Sequence, residues 1–408
     1  MRVEPITCLR PTPNRAAEFA SLPYDVFGDE EARAYVAEHP TSFLAIDRPE
    51  TSFEPGHDPH APEVYEQAAQ LLRERQLDGT LVRDEKPCLY LYELTAPDGH
   101  RQTGVLGAIA CDDYLSGTLR KHEQTLPSKE ADRVRHIKGL RAQTGPVFVA
   151  YRDSLAIDTI VFAAKQGEPI YDFVAQDGVR QRVWRVAREV GVEALCVAFT
   201  TVGEAYIADG HHRAAAACAI CEERRAEGRK DDPAEAFLAV LFPESQLRIL
   251  AYNRVIELPA DFDEASFLAG LEQAGFACGE PVPEAVVPEC KGTFGMYVGD
   301  AWRELRWLGE ADGAGVADAL DVSVLQDKVL DPLLGIKDPR SDERATFVGG
   351  VPATEIERMA GDHAVAFVLY PTSMEELMAV ADTGGIMPPK STWFDPKLQS
   401  GLAIRRIW

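Results

Sequence analysis

The stretch Glu204-Ala205-Tyr206-Ile207-Ala208-Asp209-Gly210-His211-His212-Arg213 changes its period midway, and that change decides how the chain is built. Glu204 to Ala208 reads as a short strand, Asp209-Gly210 as a turn, and His212 to Ala226 as an Ala-rich helix stopped by Gly228. Such a turn gathers backbone N–H groups and the positive end of a helix dipole at one point, where an anion is favoured, and glycine lets a ligand approach the backbone. Within the same few residues Asp209 can bind a metal or accept a proton, His211 and His212 can act as acid, base or ligand, and Arg213 can grip a carboxylate or phosphate with two parallel bonds. The bland alternative is a capped helix start with exposed His and Arg. Two histidines and an arginine are poor choices for stabilising a helix N-terminus.

Upstream, Asp29 is expected to cap a helix reaching Val36, a second helix runs from about Pro62 to Gln76, and strands at 87–94 and 104–110 are joined by a turn around Pro97-Asp98-Gly99. Ser128 is expected to cap a charged helix from Lys129 to about Gln143, and a strand follows from Pro146 to Tyr151. Beyond the Ala-rich helix come strands at 236–242 and 249–256, a helix at 263–274, a stretch rich in Pro and Gly, and a helix near 322–334. A strand at 365–370 then leads into a capping box, Ser373 with Glu376, and a last helix. Strands and helices interleave without an internal repeat, which predicts an α+β (mixed α/β) fold. The pattern restarts near Leu258 to Phe262, so 1–258 and 259–408 are read as two halves, or, since no flexible linker separates them, as one integrated unit.

With 408 residues, 46% of them hydrophobic and 26% charged, the chain has the composition of an ordinary globular protein able to bury a site. Its formal charge of -24, from 42 Lys and Arg against 66 Asp and Glu, repels nucleic acid and anionic membrane. Neither is expected as a partner; a small anionic metabolite is, because a few cations and a helix N-terminus can reverse the potential inside one cleft. No export signal or membrane-length apolar stretch is visible, and the eight scattered cysteines suit reduced thiols in a cytoplasm. Cys218 and Cys221 stand one helical turn apart, but without a second pair they read as buried packing. GxxxxGK[ST], GxSxG and HExxH are absent, as is GxGxxG between a strand and a helix, so the common nucleotide, hydrolase and zincin templates fail.

Two further segments could carry chemistry. Lys121-His122-Glu123-Gln124-Thr125 precedes a helix on which Lys129, Arg133 and His136 share a face, which suits an anion clamp beside a carboxylate and equally suits a solvated helix laced with ion pairs. Met387-Pro388-Pro389-Lys390-Ser391-Thr392-Trp393-Phe394-Asp395-Pro396-Lys397 could close over a site, or wrap the surface. Leu22-Pro23-Tyr24-Asp25-Val26 offers the same two readings.

Arg10-Pro11, Pro23-Tyr24-Asp25-Val26, Lys121-His122-Glu123 with Thr125, Lys129, Asp132 and Arg133, Ile207 to Arg213, Tyr252-Asn253-Arg254, and Met387 to Thr392 together resemble a prokaryotic family known as domain of unknown function 1015, almost end to end. The strand-DGHHR-helix piece also resembles the corresponding box of the ParB and sulfiredoxin-like superfamily, which includes free-serine kinases. That resemblance implies a ParB/sulfiredoxin-like core with insertions, joined to a C-terminal α+β half whose last segment returns toward the site. It further implies a cytoplasmic phosphotransferase of serine metabolism interconverting serine and O-phosphoserine, using Mg²⁺ and a nucleotide, ATP or ADP, with phosphoserine hydrolysis (a phosphoserine phosphatase) as its close variant.

In that picture Glu123 is the base, Asp209, His211 and His212 belong to the catalytic centre, and Asp209 holds the metal or orients a histidine. Lys121, His122, Lys129, Arg133, Gly210, Arg213, Lys390, Ser391 and Thr392 bind substrate or phosphate. The alternative it implies is a nucleotide-binding regulatory switch with a protein partner.

Overall fold

The structure, a computed structural model, describes residues 1–229, 232–309 and 315–408; part of the Pro- and Gly-rich stretch, 310–314, lies outside the described residues. Contacts divide the chain into two units, Met1–Leu247 with Pro396–Trp408, and Arg248–Asp395. The division falls before the restart read near Leu258 because Tyr252–Glu257 pairs with Ala345–Gly349 and Ala364–Leu369, strands of the second unit. Hydrogen bonding outranks the local change of pattern.

The first unit is built on a nine-stranded sheet. In chain order its strands are β1 (Val3–Glu4), β2 (Leu89–Thr95), β3 (Arg101–Ala110), β4 (Leu119–Arg120), β5 (Val147–Tyr151), β6 (Tyr171–Val174), β7 (Arg180–Val186), β8 (Ala205–Asp209) and β9 (Ala236–Pro243). Across the sheet the order is β4-β8-β5-β9-β3-β2-β7-β6, with β1 paired to β3. Strand β9 runs parallel to β5 and antiparallel to β3. Its sequence is apolar throughout and every residue is buried, as a strand covered on both faces requires. Val147, Val149, Ile207, Phe237, Ala239 and Leu241 belong to the main core cluster.

Helix α1 (Pro62–Leu77) matches the reading closely, whereas α2 (Pro127–Leu140) starts and stops earlier than expected. Ser128 does not cap α2. Pro127 occupies its first turn, where a missing N–H costs nothing, and Leu126 precedes it without a side-chain cap. Arg141 then turns left-handed with φ 54°, which ends the helix and frees Ala142–Gln143 to pair with Ile404–Arg406. Asp29 likewise lies inside its helix; the cap is Gly28, whose N–H donates to Glu31 Oε2 at 2.9 Å.

Helix α3 (His211–Ala226) packs against α2, where Ile137 meets Ala216 and Ile220 in a small cluster with Ala234 and Ile407. The small side chains of Ala214 to Ala217 allow close approach. The final strand Ile404–Arg406 also pairs with Cys8–Pro11, so the end of the chain belongs to the same unit as its beginning.

The second unit carries a six-stranded sheet, Phe276–Cys278, Ala301–Trp307, Thr293–Val298, Ala364–Leu369, Tyr252–Glu257 and Ala345–Gly349 in spatial order, antiparallel throughout. The helix Met374–Asp382 opens with the expected capping box: Ser373 Oγ accepts from Glu376 N while Glu376 Oε2 accepts from Ser373 N. The chain is thus an α+β protein. Among the described residues no helix is long and apolar enough to cross a membrane.

Candidate active site

Strand β8 pairs regularly with β5 up to Ile207, then shifts register so that Asp209 faces Phe148. A bulge of this kind re-aims the next side chain, and here it falls beside the turn. Gly210 follows at φ 95°, left-handed, and a Cβ there would stand 2.9 Å from Arg213 Nε. Glycine is therefore required twice, for the backbone angle and for the guanidinium folded back across it. That guanidinium donates to the Pro146 carbonyl and stands 3.7 Å from Asp209 Oδ1. Asp209 Oδ2 accepts from Lys397 Nζ at 2.8 Å. Burial pushes the Asp209 carboxyl up, but Lys397 and then Arg213 outweigh it and hold the group well below the usual carboxylate range. Asp209 is ionised.

His211, the first residue of α3, is buried, and its Nδ1 stands 3.6 Å from Glu123 Oε2. The His122 ring meets it edge-on, with centroids 4.5 Å apart and planes at 87°. Burial pushes His122 down to about 4, and burial together with His122 depresses His211 well below an ordinary histidine. Both are neutral near pH 7. His122 Nδ1 and His211 Nε2 have no hydrogen-bond partner among the described residues, an uncommon state for buried polar atoms and one that points to a ligand or water. His212 Nε2 accepts from Leu126 N at 3.0 Å and so ties α3 to the start of α2.

The proposed basic face of α2 is split. Lys129 is exposed, whereas Arg133 is turned inward against the Tyr24 ring, 4.1 Å from its centroid. Arg133 donates from Nε and Nη2 to Asp132 Oδ2 at 3.0 and 2.7 Å, and its Nη1 lies 3.4 Å from Asp47 Oδ1. His136, also buried, bonds through Nε2 to the Ile46 carbonyl at 3.0 Å. The shared helical face exists, but its inner part meets the buried Asp47 and the partly buried Asp132 rather than solvent. Lys121 is exposed with its ammonium 4.4 Å above the Tyr114 ring.

Lys390, Ser391 and Thr392 belong to the second unit. There the Ser391 hydroxyl donates to the Pro388 carbonyl at 2.7 Å, and the Lys390 carbonyl accepts from Arg254 at 3.0 Å. Cys218 and Cys221 are free and buried. No group of three His, Cys, Asp or Glu side chains able to hold a metal ion occurs among the described residues.

Lys397 is the functional candidate that sequence reasoning passed over. Its position in the Pro-rich C-terminal segment was a signal, but its partner Asp209 lies 188 residues away. Behind Arg213 the structure holds a cavity of about 30 Å³. Its wall includes Asp47, Arg133, His136, Thr144, Arg213 and Ser400. Tyr24 and Gly145 line it too.

A comparison with curated proteins finds no match. Among solved structures the chain is similar to C-terminally truncated SbnI from Staphylococcus aureus, at 14% identity and TM-score 0.38 over 74% of this chain and 87% of that one. It is similar to a free serine kinase in complex with AMP at 16% identity and TM-score 0.37, over 71% and 86% of the two chains. A conserved hypothetical protein from Pyrococcus furiosus is similar at 14% identity and TM-score 0.33, over 74% and 95%. The family described as "Protein of unknown function (DUF1015)" matches residues 3–323, and the chain belongs to that family.

Proposed function

We propose that this protein is a small-molecule phosphotransferase that interconverts serine and O-phosphoserine. The observation that carries the reading is the approach of the Glu123 carboxylate to His211 at the first residue of α3, beside a left-handed glycine and a folded-back arginine. A base and an anion seat stand within one turn of each other. Phosphoryl transfer needs mainly positioning and charge stabilisation, which such a set supplies without a glycine-rich phosphate loop.

In the forward direction the serine hydroxyl oxygen forms a bond to phosphorus, the bond from phosphorus to the leaving nucleotide oxygen breaks, and Glu123 takes the hydroxyl proton. Arg213 and the first N–H groups of α3 hold the phosphoryl oxygens. His211, neutral, stands with Nδ1 3.6 Å from Glu123, near enough to tighten into a hydrogen bond when substrate binds, and leaves Nε2 for the substrate. Lys397 keeps Asp209 ionised. The orphaned nitrogens of His122 and His211, acceptors in the neutral rings, fit a ligand that brings hydroxyl or amino donors. Magnesium usually takes one or two protein carboxylates and completes its shell with phosphate and water; Asp209 would hold it only by releasing Lys397 from Oδ2, and the ion would then neutralise phosphate charge.

The test is phosphorus NMR of the purified chain with Mg²⁺, ATP or ADP and L-serine, and in parallel with O-phosphoserine alone. Formation or consumption of phosphoserine, lost in Arg213→Ala, is expected. Full activity in that variant removes the assignment.

A further inference from the structure

The cavity behind Arg213 has a charge pattern of its own. Two guanidiniums contribute, Arg133 and Arg213, and Asp47 completes the charged wall. Asp132 ties Arg133, while Asp209 and Lys397 back Arg213. Three cations thus face three carboxylates, and His136 is held neutral by burial and the neighbouring Arg133. Burying a phosphate dianion in a balanced cluster would leave uncompensated charge, which is costly in a low-dielectric site. A zwitterion adds none.

Size and access agree. A volume of about 30 Å³ corresponds to roughly two water positions, enough for a head group and too little for a nucleotide. Most of the wall is buried; Tyr24, Gly145 and Arg213 are the partly exposed residues, so entry lies on the side of the DGHHR turn.

We propose that this cavity seats the charged head of an α-amino acid, its carboxylate toward Arg213 and Arg133 and its ammonium toward Asp47. The assignment rests on the phosphotransferase reading for its choice of serine, and it divides the labour of the site. The amino-acid head enters the cavity on the side of Arg213 Nη1, which lies by Gly145, and the phosphate stays at the start of α3 by the Nε and Nη2 edge, which lies by Gly210. Asp47 has carboxylate capacity to spare: the contacts at 3.4 Å to Arg133 and 3.9 Å to His136 both involve Oδ1.

Gly145 offers the means of testing it. A Cβ there would stand 3.2 Å from Arg213 Nη1 and 3.5 Å from Ser400 Oγ, so Gly145→Ala narrows the entrance at a backbone angle that alanine accepts. The full chain is titrated by ligand-observed NMR with glycine, L-serine and N-acetyl-L-serine, and separately with inorganic phosphate, after thermal melts confirm that each variant is folded.

Glycine and serine should bind, and N-acetyl-L-serine, which lacks the ammonium, at least about tenfold more weakly, a difference of about 1.4 kcal/mol. Serine should weaken by a similar factor in Gly145→Ala and in Asp47→Asn, while phosphate binding to Asp47→Asn holds. Absence of amino-acid binding in the parent chain overturns the proposal, as does unchanged serine affinity in both variants. Phosphorus NMR separates the two readings. Serine turnover with an unchanged serine KM in both variants removes the cavity assignment alone, whereas variant-sensitive amino-acid binding without any turnover retains the cavity and removes the phosphotransferase.

Discussion

Two carboxylates in the first unit sit among cations, and they differ in what surrounds the charges. Glu93, in mid-strand on β2, is fully buried and bonded by Lys165, Arg182 and the Thr103 hydroxyl, the last at 3.0 Å. Its pKa is pushed up by burial and brought below the ordinary value by Lys165 and Arg182. Asp209 has similar cationic company, but it stands at a strand end after a bulge, next to a left-handed glycine and a helix start, with two histidine nitrogens lacking partners nearby. A buried ion cluster alone therefore marks no site. What distinguishes the second is its place at a helix start beside a left-handed glycine, with unpaired histidine nitrogens, since the Glu93 cluster too leaves Arg182 Nε without a partner among the described residues.

The largest expected effect tests that distinction at Glu123. Glu123→Gln, at a side chain 39% exposed, should lower phosphoserine turnover by about 10³-fold, within the usual range for loss of a general base, with the melting temperature nearly unchanged. Wild-type turnover in this variant would move the base elsewhere. Glu93→Ala should do the opposite, costing about 3–5 kcal/mol in urea unfolding because it strands buried cations, while turnover per folded molecule persists. If activity fell and stability did not, Glu93 rather than Asp209 would be the functional cluster.

Gly210→Ala is expected to cost about 1–3 kcal/mol for the left-handed backbone and to displace Arg213, so stability and turnover drop together. An active, equally stable alanine variant would contradict the close packing of the guanidinium.

The smallest effect concerns pH. His122 is neutral when folded, with a pKa near 4, and titrates near 6.5 when unfolded, so the unfolded chain binds more protons as pH falls through 6.5. Its contribution is complete above that pH and is lost progressively toward 4. Between pH 7 and 5 about 2 kcal/mol should disappear, a loss measurable by denaturant titration and reduced in His122→Gln. A flat profile would mean that the ring is solvated.

Much of the site was legible locally. The change of period at Asp209-Gly210 located the turn, and the DGHHR resemblance nominated Glu123, which the structure brings beside His211. The reading of α2 missed its start and left its basic stripe without an orientation. Pro127 was a better start signal than Ser128, because proline suits a first turn whose N–H would lack an intrahelical partner. The basic stripe could not be oriented from spacing alone, because spacing places Arg133 and His136 on one face without revealing that Asp47 waits there.

By itself, then, the sequence determined the elements that depend on near neighbours: the strand-turn-helix box, the long apolar strand β9, the capping box at Ser373 and the family. Tertiary structure decided what depends on distant partners. Lys397 reaches Asp209, Arg133 turns inward to Asp47, and Tyr252–Glu257 joins the second unit's sheet. Periodicity and capping act over a few residues, whereas charge pairing and strand pairing act through space, where sequence separation carries no penalty once the chain has folded.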